Sequence, residues 1–538
     1  MTGPGRNIER PRSAPLTRSE VVVVGLLVAV GVGFRLLTRS PLWLDEALSV
    51  NIASLPLGDI GDALRRDGHP PLYYWLLHGW MELFGSGDLA VRSLSGVFGL
   101  LSLPLAYEAG RRRAGHAAGL CVLALTAITP WCVRYATEAR MYALVLTLVF
   151  AGWLLADELL RAPSRWRWVA LALVTGGALL SHYWAIHLGI ASVLLLAWTW
   201  WQAGRTSAPI GAQAAPGATS GPIPDVRRGV LRVATALAAG AVLFLPWVPA
   251  FLDQLAKTGT PWADAGRPTA AVTELLGALG GGARYAEAVL FGLGFYVLVL
   301  FGLTLLPEDR RRAVLDFASV PGVRGEVALG LLTAAVGTGV GLLTEAAFQA
   351  RYAAAFLPFL LVAAGVGLAR LPSPWPRRVA AGAMALLAGV GLVANVVDER
   401  TQGEQVADVI AANAGPDDVV VICPDQLGPA TLRALPDEIA AVGLPAFERP
   451  VRIDWRDYED RNEAAEPGEA VARILDEVGD GTVWMVLNTG YRTYEGYCEG
   501  VLGGLQLERP ATELVVEGRP GEVFEPMHLY RFLPGPAS

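Results

Sequence analysis

The residues best suited to chemistry lie between positions 45 and 71. Asp45 and Glu46 are adjacent carboxylates in PLWLDEALSV, and a His69-Pro70-Pro71 turn follows in RRDGHPPLYY. A carboxylate is ionised at neutral pH and takes a proton from a hydroxyl held within about 2.6–3.2 Å, so the pair suits general-base work. It stands a few residues beyond an apolar run, Val21 to Leu37, long enough to cross a membrane. Apolar spans exclude ionised groups unless these face a cavity or water. The placement therefore points to an active-site loop at a membrane surface; a solvated helix start is the plain alternative.

The elements that must position these groups follow from composition. The chain has 538 residues, 53% hydrophobic and 17% charged, against roughly 25% charged in soluble domains. That is the composition of a polytopic membrane protein. Residues 1–397 hold 32 Arg and Lys against 23 Asp and Glu, a balance of +9, whereas residues 398–538 hold 11 against 27, or −16. The last 141 residues read as a separate, acidic, water-soluble domain. Arg6, Arg10, Arg12 and Arg18 precede the first apolar run and no small-residue cleavage pattern follows it, so it reads as a retained span with a cytoplasmic N-terminus.

Apolar runs place eleven spans at about 20–37, 91–110, 115–133, 141–160, 166–182, 184–201, 230–250, 285–306, 326–344, 352–370 and 378–397. Residues 70–84, PPLYYWLLHGWMELF, are apolar but run about 15 residues against the roughly 20 needed to cross. Parity decides their place. If they do not cross, RRRAGH, RAPSRWR, the linker from Gln202 to Arg228, EDRRR and PWPRR all fall inside, as positive residues prefer. Residues 70–84 then form an amphipathic helix on the outer face. The outer loops collect the unusual polar residues: Asp45, Glu46, Arg65, Arg66, Asp67 and His69; RYATEARMY; Ser181-His182-Tyr183; a loop near Trp262; and Glu345 to Tyr352. The Ala-, Gly-, Pro- and Ser-rich linker 202–228 is expected to be flexible.

Past Asp398 helix and strand alternate. Gly403–Ala414 and Pro467–Val478 read as helices and residues 418–424 and 482–488 as buried strands, with edge strands at 513–516 and 528–532. This predicts a small α/β sandwich, whose ligand edge would fall at Pro424, Asp425, Asn488 and Tyr491. A structural or partner-docking lid is the favoured role. Cys423 and Cys498 either pair or remain buried thiols. Neither they nor Cys121 and Cys132 have metal-ligand spacing.

No GxGxxG before a helix, no GxxxxGK[ST] and no HExxH occurs, so nucleotide-driven transport and zinc hydrolysis lack their usual signatures. What remains is a substrate already activated on a lipid carrier. Transfer of a sugar from a polyprenyl phosphate needs a carboxylate to take the acceptor proton and cationic or hydrogen-bonding groups around the departing phosphate. Asp45 or Glu46 supplies the first, and His69, Arg140, His182 and Arg351 the second. A transporter or lipid flippase using the same cavity is the rival reading, and a scaffold whose acidic domain binds a partner is a third.

WLDEALS, DGHPPLYYWLLHGWMELFG with DLAVRSLS, YATEARMYAL and the late RYAAAFLPFLLV occur in that order. The sequence resembles the GT-C glycosyltransferases of the family 39 and 83 type, which include protein O-mannosyltransferases and aminoarabinose transferases. The resemblance is specific over about residues 18–200 and weaker over 230–397. It implies a polytopic α-helical GT-C protein of about eleven transmembrane helices plus the outer amphipathic helix, catalytic over 1–397, with an extracytoplasmic soluble α/β domain at 398–538. It further implies a cell-envelope glycosyltransferase working from a polyprenyl-phosphate-sugar donor onto a lipid, glycan or protein acceptor, with no nucleic-acid partner. Asp45 maps to the catalytic base, Glu46 to a shaper of the acceptor site, and Glu138 to the second acidic position. His69 stands just before Pro-Pro, where some relatives carry Lys against the lipid phosphate; Arg351 resembles a carrier-phosphate ligand. Arg140 and Tyr142 turn to the same cavity, and His182, Tyr183 and Tyr352 join the substrate-binding set. Helix-end anchoring remains the alternative for Arg140 and Arg351, and an aromatic belt for Tyr142 and Tyr183. No metal ligand is assigned; members of the superfamily differ in using a divalent ion, so one stays possible.

Overall fold

The computed structural model describes residues 15–205, 226–258, 267–282, 286–307, 312–317, 322–344, 346–489 and 491–534. Most of the 202–228 linker and the loop around Trp262 lie outside these. In chain order the first part comprises α1 (Arg18–Phe34), α2 (Leu44–Ala53), α3 (Ile60–Asp67), α4 (Leu72–Phe84), α5 (Asp88–Ala114), α6 (His116–Ile128), α7 (Pro130–Arg134), α8 (Tyr142–Arg161), α9 (Arg165–Leu179), α10 (Trp184–Arg205), α11 (Val226–Phe244), α12 (Val248–Lys257), α13 (Pro268–Leu279) and α14 (Ala286–Thr304). A two-stranded hairpin, β1 (Leu305–Pro307) and β2 (Ala313–Leu315), precedes α15 (Arg324–Leu343), α16 (Leu357–Ala369) and α17 (Pro374–Val397).

Each of the eleven expected spans contains a helix. Among the described residues seven helices are long and apolar enough to cross a membrane, and α6 and α16 are shorter apolar helices. Two expected spans are shorter because proline breaks them. The 115–133 segment stops at Thr129 and restarts at Pro130 as the single turn α7; the 352–370 segment is a 3₁₀ turn, Ala350–Ala355, followed by α16 with Pro358 in its first turn. Proline has no N–H to give the preceding turn and disfavours helical geometry in the residue before it. Every residue of α16 is buried, so this helix is surrounded by protein.

Residues 72–84 form the separate helix α4. Tyr73, Tyr74 and Leu77 are buried, while Trp75, Leu76, Leu83 and Phe84 are exposed. It packs on α2 and α5, and the Tyr73 hydroxyl lies 2.9 Å from Ser95 Oγ.

The last part comprises α18 (Gly403–Asn413), β3 (Val419–Cys423), α19 (Gly428–Leu432), β4 (Ala440–Gly443), α20 (Tyr458–Glu463), α21 (Pro467–Val478), β5 (Val483–Leu487), α22 (Tyr497–Glu508), β6 (Thr512–Val516) and β7 (His528–Phe532). The sheet order is β4-β3-β5-β7-β6, with β3 parallel to β4 and β5, and β7 antiparallel to β5 and β6. One expectation is corrected. Strand β7 is interior, and β4, too short to show an apolar run, takes the other edge. Cys423 and Cys498 are joined by a disulfide, while Cys121 and Cys132 are free and buried.

The sheet domain packs on α2 through α19. Trp43, Leu44 and Leu48 belong to the same apolar core as Val419, Val421, Met485 and Phe532, and Asn51 donates to the Val451 carbonyl at 2.7 Å.

Candidate active site

Asp45 and Glu46 sit in the first turn of α2, where the unpaired N–H groups of a helix start favour negative charge. Successive residues on a helix point about 100° apart, so the two carboxylates part company. Asp45 faces a cavity of about 560 Å3 roofed by the sheet domain. Glu46 turns into the protein interior. There it receives Arg92 Nε and Nη2 at 2.7 and 2.6 Å, Arg400 Nη1 at 3.1 Å and the Ala139 N–H at 2.9 Å. Burial by itself would raise its pKa, but the two guanidiniums outweigh burial and hold it at about 2. The expectation that Glu46 shapes the acceptor site is corrected: its carboxylate ties α2 to the rest of the fold.

Two arginines close on Asp45. Arg351 Nη1 lies 2.5 Å from its Oδ2 and Arg140 Nη2 lies 3.8 Å from the same oxygen. The proline-broken turn at 350–355 delivers Arg351. Its backbone is pinned on both sides of Ala350, whose N–H donates to Glu274 at 2.6 Å and whose carbonyl accepts Trp131 Nε1 at 3.0 Å. Arg140 is held by Ser49 Oγ at 3.1 Å and the Asp45 carbonyl at 3.3 Å, and donates through Nη2 to His69 Nε2 at 3.0 Å. Because guanidinium only donates, His69 Nε2 accepts. Its proton therefore sits on Nδ1, 2.9 Å from Asp67 Oδ2. Tyr74 donates to the same Asp67 oxygen at 3.1 Å. Burial alone would raise the Asp67 pKa, but the adjacent His69 ring and Arg140 bring it below the usual carboxylate value.

Other predicted residues form the wall behind. Tyr352 lines the cavity and stacks on Trp184, centroids 5.4 Å apart. Tyr142 and His182 are buried one layer deeper, with the His182 ring between Tyr142 and Tyr352 at 5.7 and 5.2 Å. Burial, with His69, Arg140 and Arg351 near, pushes the His182 pKa well below its ordinary value, so this ring is a neutral group and its Nδ1 accepts the Trp184 N–H at 3.1 Å.

Besides Glu46, Tyr142 and His182, two more of the predicted residues do not line the cavity. Glu138 is buried against Arg134, whose Nε lies 3.0 Å from Oε2. Tyr183 bonds Gln254 and accepts from Trp247 at 3.0 Å; Gln254 in turn donates to the Leu64 carbonyl at 2.7 Å, bracing the helix before His69. Asp67 opens the DGHPP motif and Arg92 lies within DLAVRSLS, four residues after Asp88 opens α5, but the sequence assigns neither a role, and the pairing of Arg92 and Arg400 with Glu46 could not be read from spacing.

The cavity roof comes from the sheet domain. Gln426, Asn488, Tyr491 and the turn from Pro520 to Pro526 line it, so the carboxyl ends of β3 and β5 do face the ligand space, as the strand-end rule requires. Gly521 takes φ +79 between the bridged residues Pro520 and Val523, a left-handed geometry that glycine adopts at no steric cost. This turn sets Phe524 edge-on to Trp43 at 4.9 Å.

The chain is similar over nearly its whole length to solved glycosyltransferases. ArnT from Cupriavidus metallidurans in the apo state aligns with a TM-score of 0.60 at 15% identity, covering 96% of this chain and 99% of that one. The same protein bound to undecaprenyl phosphate aligns at 0.57 and 15%, covering 97% and 100%. This chain has the GT-C fold. The archaeal oligosaccharyltransferase AglB from Archaeoglobus fulgidus, in complex with an inhibitory peptide and a dolichol-phosphate, aligns at 0.50 and 11%, covering 95% of this chain and 74% of that one. Residues 68–214 match the family model for dolichyl-phosphate-mannose-protein mannosyltransferase, a stretch that runs from the His69 turn through α10. No curated protein matches the sequence. In this chain a mostly helical region precedes a C-terminal sheet, and the turn that carries His69, the helix that carries Asp45 and the sheet edge meet in one cavity.

Proposed function

We propose that this GT-C protein transfers a glycosyl group from a polyprenyl-phosphate donor to an acceptor hydroxyl, with Asp45 as general base. The observation that carries the reading is the floor of the cavity. Arg140 and Arg351 converge on Asp45, and three buried polar atoms around them, Arg140 Nε, Arg351 Nε and the Tyr142 hydroxyl, have no hydrogen-bond partner. Buried donors left unpaired are costly, and an arginine fork matches phosphate oxygens. A phosphate entering here draws Arg351 from Asp45 and frees the carboxylate. The acceptor O–H then gives its proton to Asp45, the oxygen bonds to the anomeric carbon, and the bond from that carbon to the phosphate oxygen breaks. The polyprenyl phosphate departs as an anion stabilised by both guanidiniums, with inversion at carbon. His69 holds Arg140 in position through Nε2. That ArnT and AglB have been solved with undecaprenyl phosphate and dolichol-phosphate supports a lipid-phosphate donor.

A divalent ion does not fit the residues present. Asp45 is already shared by two cations, and among the described residues no three His, Cys, Asp or Glu side chains are grouped to hold a metal. No step is routed through one.

The test is turnover in proteoliposomes with a panel of polyprenyl-phosphate sugars. Asp45→Asn, which keeps shape and removes the base, is expected to lower turnover about 10²–10⁴-fold with no loss of folded protein. Undiminished transfer would remove Asp45 as the base.

The same reading puts the cavity and the sheet domain outside the cell. The positive inner loops and the Cys423–Cys498 disulfide support it, since disulfides persist in oxidising compartments. Asp437 is fully exposed. A cysteine introduced there should react with a membrane-impermeant maleimide in intact cells; labelling only after permeabilisation would reverse the topology.

A further inference from the structure

A second cavity, of about 640 Å3, lies between α2–α3 and the sheet domain, within the roughly 300–1,000 Å3 typical of small-molecule sites. Its lining differs from the first. Five carboxylates, among them Asp59, Glu448 and Asp454, and four arginines, among them Arg66, Arg452 and Arg461, line it beside apolar residues such as Ile52 and Ile453, and no aromatic ring contributes. The side chains of Asp59, Glu448 and Arg452 form no hydrogen bond or ion pair with any described residue. Asp425 reaches this lining from beneath, its carboxyl held by Tyr458 and Tyr494 at 2.5 and 3.0 Å.

The two cavities are neighbours that share three segments of chain. Arg66 faces the second and Asp67 the first; Asp425 and Gln426 divide likewise, as do Asp454 and Trp455. The Trp455 N–H donates to the Arg66 carbonyl at 2.9 Å. One helix serves both spaces. Asp45 and Leu48 of α2 face the first cavity, and Ile52, with Leu55 just beyond the helix, faces the second. Seven residues of helix separate Asp45 from Ile52, about 10 Å.

We propose that the second cavity binds the non-reacting sugars of a polar glycan acceptor whose terminal hydroxyl is presented to Asp45. The inference rests on the glycosyltransferase reading above. Sugar hydroxyls both donate and accept, which the guanidiniums and carboxylates of the lining satisfy. A strongly anionic ligand meets five carboxylates against four arginines. Anchoring against the far end of α2 ties the glycan to the helix that carries the base, which is how remote binding energy positions a reacting group.

The experiment uses the full-length protein in nanodiscs and neutral hexose and pentose oligosaccharides of increasing length as probes. Binding is measured on Asp45→Asn protein by native mass spectrometry, and transfer on protein with Asp45 intact. Affinity should rise with probe length, and Arg452→Ala and Glu448→Gln, both at exposed positions, should each weaken the longer probes about tenfold. In transfer assays the same substitutions should erase the kcat/KM preference for long over short acceptors, by raising KM for the long ones. Equal binding and unchanged length preference in both variants would overturn the proposal while leaving transfer itself intact. Length-dependent binding lost in the variants, with no transfer by any protein, would instead uphold the site and sink the transferase reading.

Discussion

At the residue scale the two neighbouring carboxylates have opposite fates. Asp45 is the cavity carboxylate, and the order of residues after the first span made it legible. Glu46 was not, because its partners Arg92 and Arg400 stand 46 and 354 residues away, and a pairing at such range leaves no local pattern. The difference is measurable. Removing one partner of a buried, hydrogen-bonded ion pair costs about 3–5 kcal/mol, so Glu46→Gln should lower thermal stability and yield while Asp45→Asn lowers turnover alone. A Glu46→Gln protein that melts like the parent and loses only acceptor affinity would restore its place at the site. A third acid, Glu525, lies under the roof turn and is buried; burial raises its pKa from 4.5 to about 8. The sign follows from proton binding. Between those values the folded chain keeps a proton that the unfolded chain releases, so stability falls as pH rises through the window and the penalty is complete above about 8. Glu525→Gln imitates the protonated acid and should flatten the dependence of melting temperature on pH across that range; an unaltered slope would assign it to other groups.

At the scale of elements, composition announced helices but not where proline cuts them. The runs at 115–133 and 352–370 each read as one span, yet the short turns left outside the breaks carry Arg134 and Arg351. The motifs RYATEARMY and RYAAAF are thus visible in sequence because they stand where helices stop, which is where backbone can line a cavity. The amphipathic reading of α4 came from its length and from the parity that keeps the positive loops together, and its buried tyrosine face agrees with it. What hydropathy hides is the packing that makes a 13-residue helix such as α16 stable. Gly302 on α14 and Gly367 on α16 let the two helices touch backbone to backbone: a Cβ on Gly367 would strike the Leu298 carbonyl, and one on Gly302 the Ala363 carbonyl. Small residues at such crossings replace the missing hydrophobic drive within a membrane. Gly367→Leu should therefore abolish detergent-stable folded protein, measured by fluorescence size-exclusion, whereas Gly382→Leu, at a glycine with open space around it, should not.

At the scale of the whole molecule the acidic end of the chain is less separate than its charge suggests. The jump from +9 to −16 at Asp398 marks a change of solvent, and it correctly announces strands after helices, but it says nothing of how the sheet meets α2. That contact runs through Arg400. Its backbone N–H donates to Ser40 Oγ at 2.8 Å, Nη1 reaches Glu46 and the Thr137 carbonyl at 3.1 Å each, and Nη2 reaches Thr137 Oγ1 at 3.2 Å. One side chain thus links the junction before α18, the start of α2 and the turn that carries Arg140. Burial lowers its pKa to about 9, still above neutral, so the guanidinium stays charged and needs Glu46. Arg400→Met keeps the volume of the side chain and removes the charge. It should lower turnover by misplacing Asp45 and Arg140, although Arg400 does not line the first cavity, and the loss should be coupled to Glu46. In a double-mutant cycle with Glu46→Gln, residues sharing one ion-pair network deviate from additivity by about 0.5–3 kcal/mol. The pair of substitutions should therefore cost clearly less stability than the two separate losses combined. Strict additivity would show that the sheet domain and α2 are held together by their apolar contact through Trp43, Leu44 and Leu48, and that the buried arginine contributes independently of Glu46.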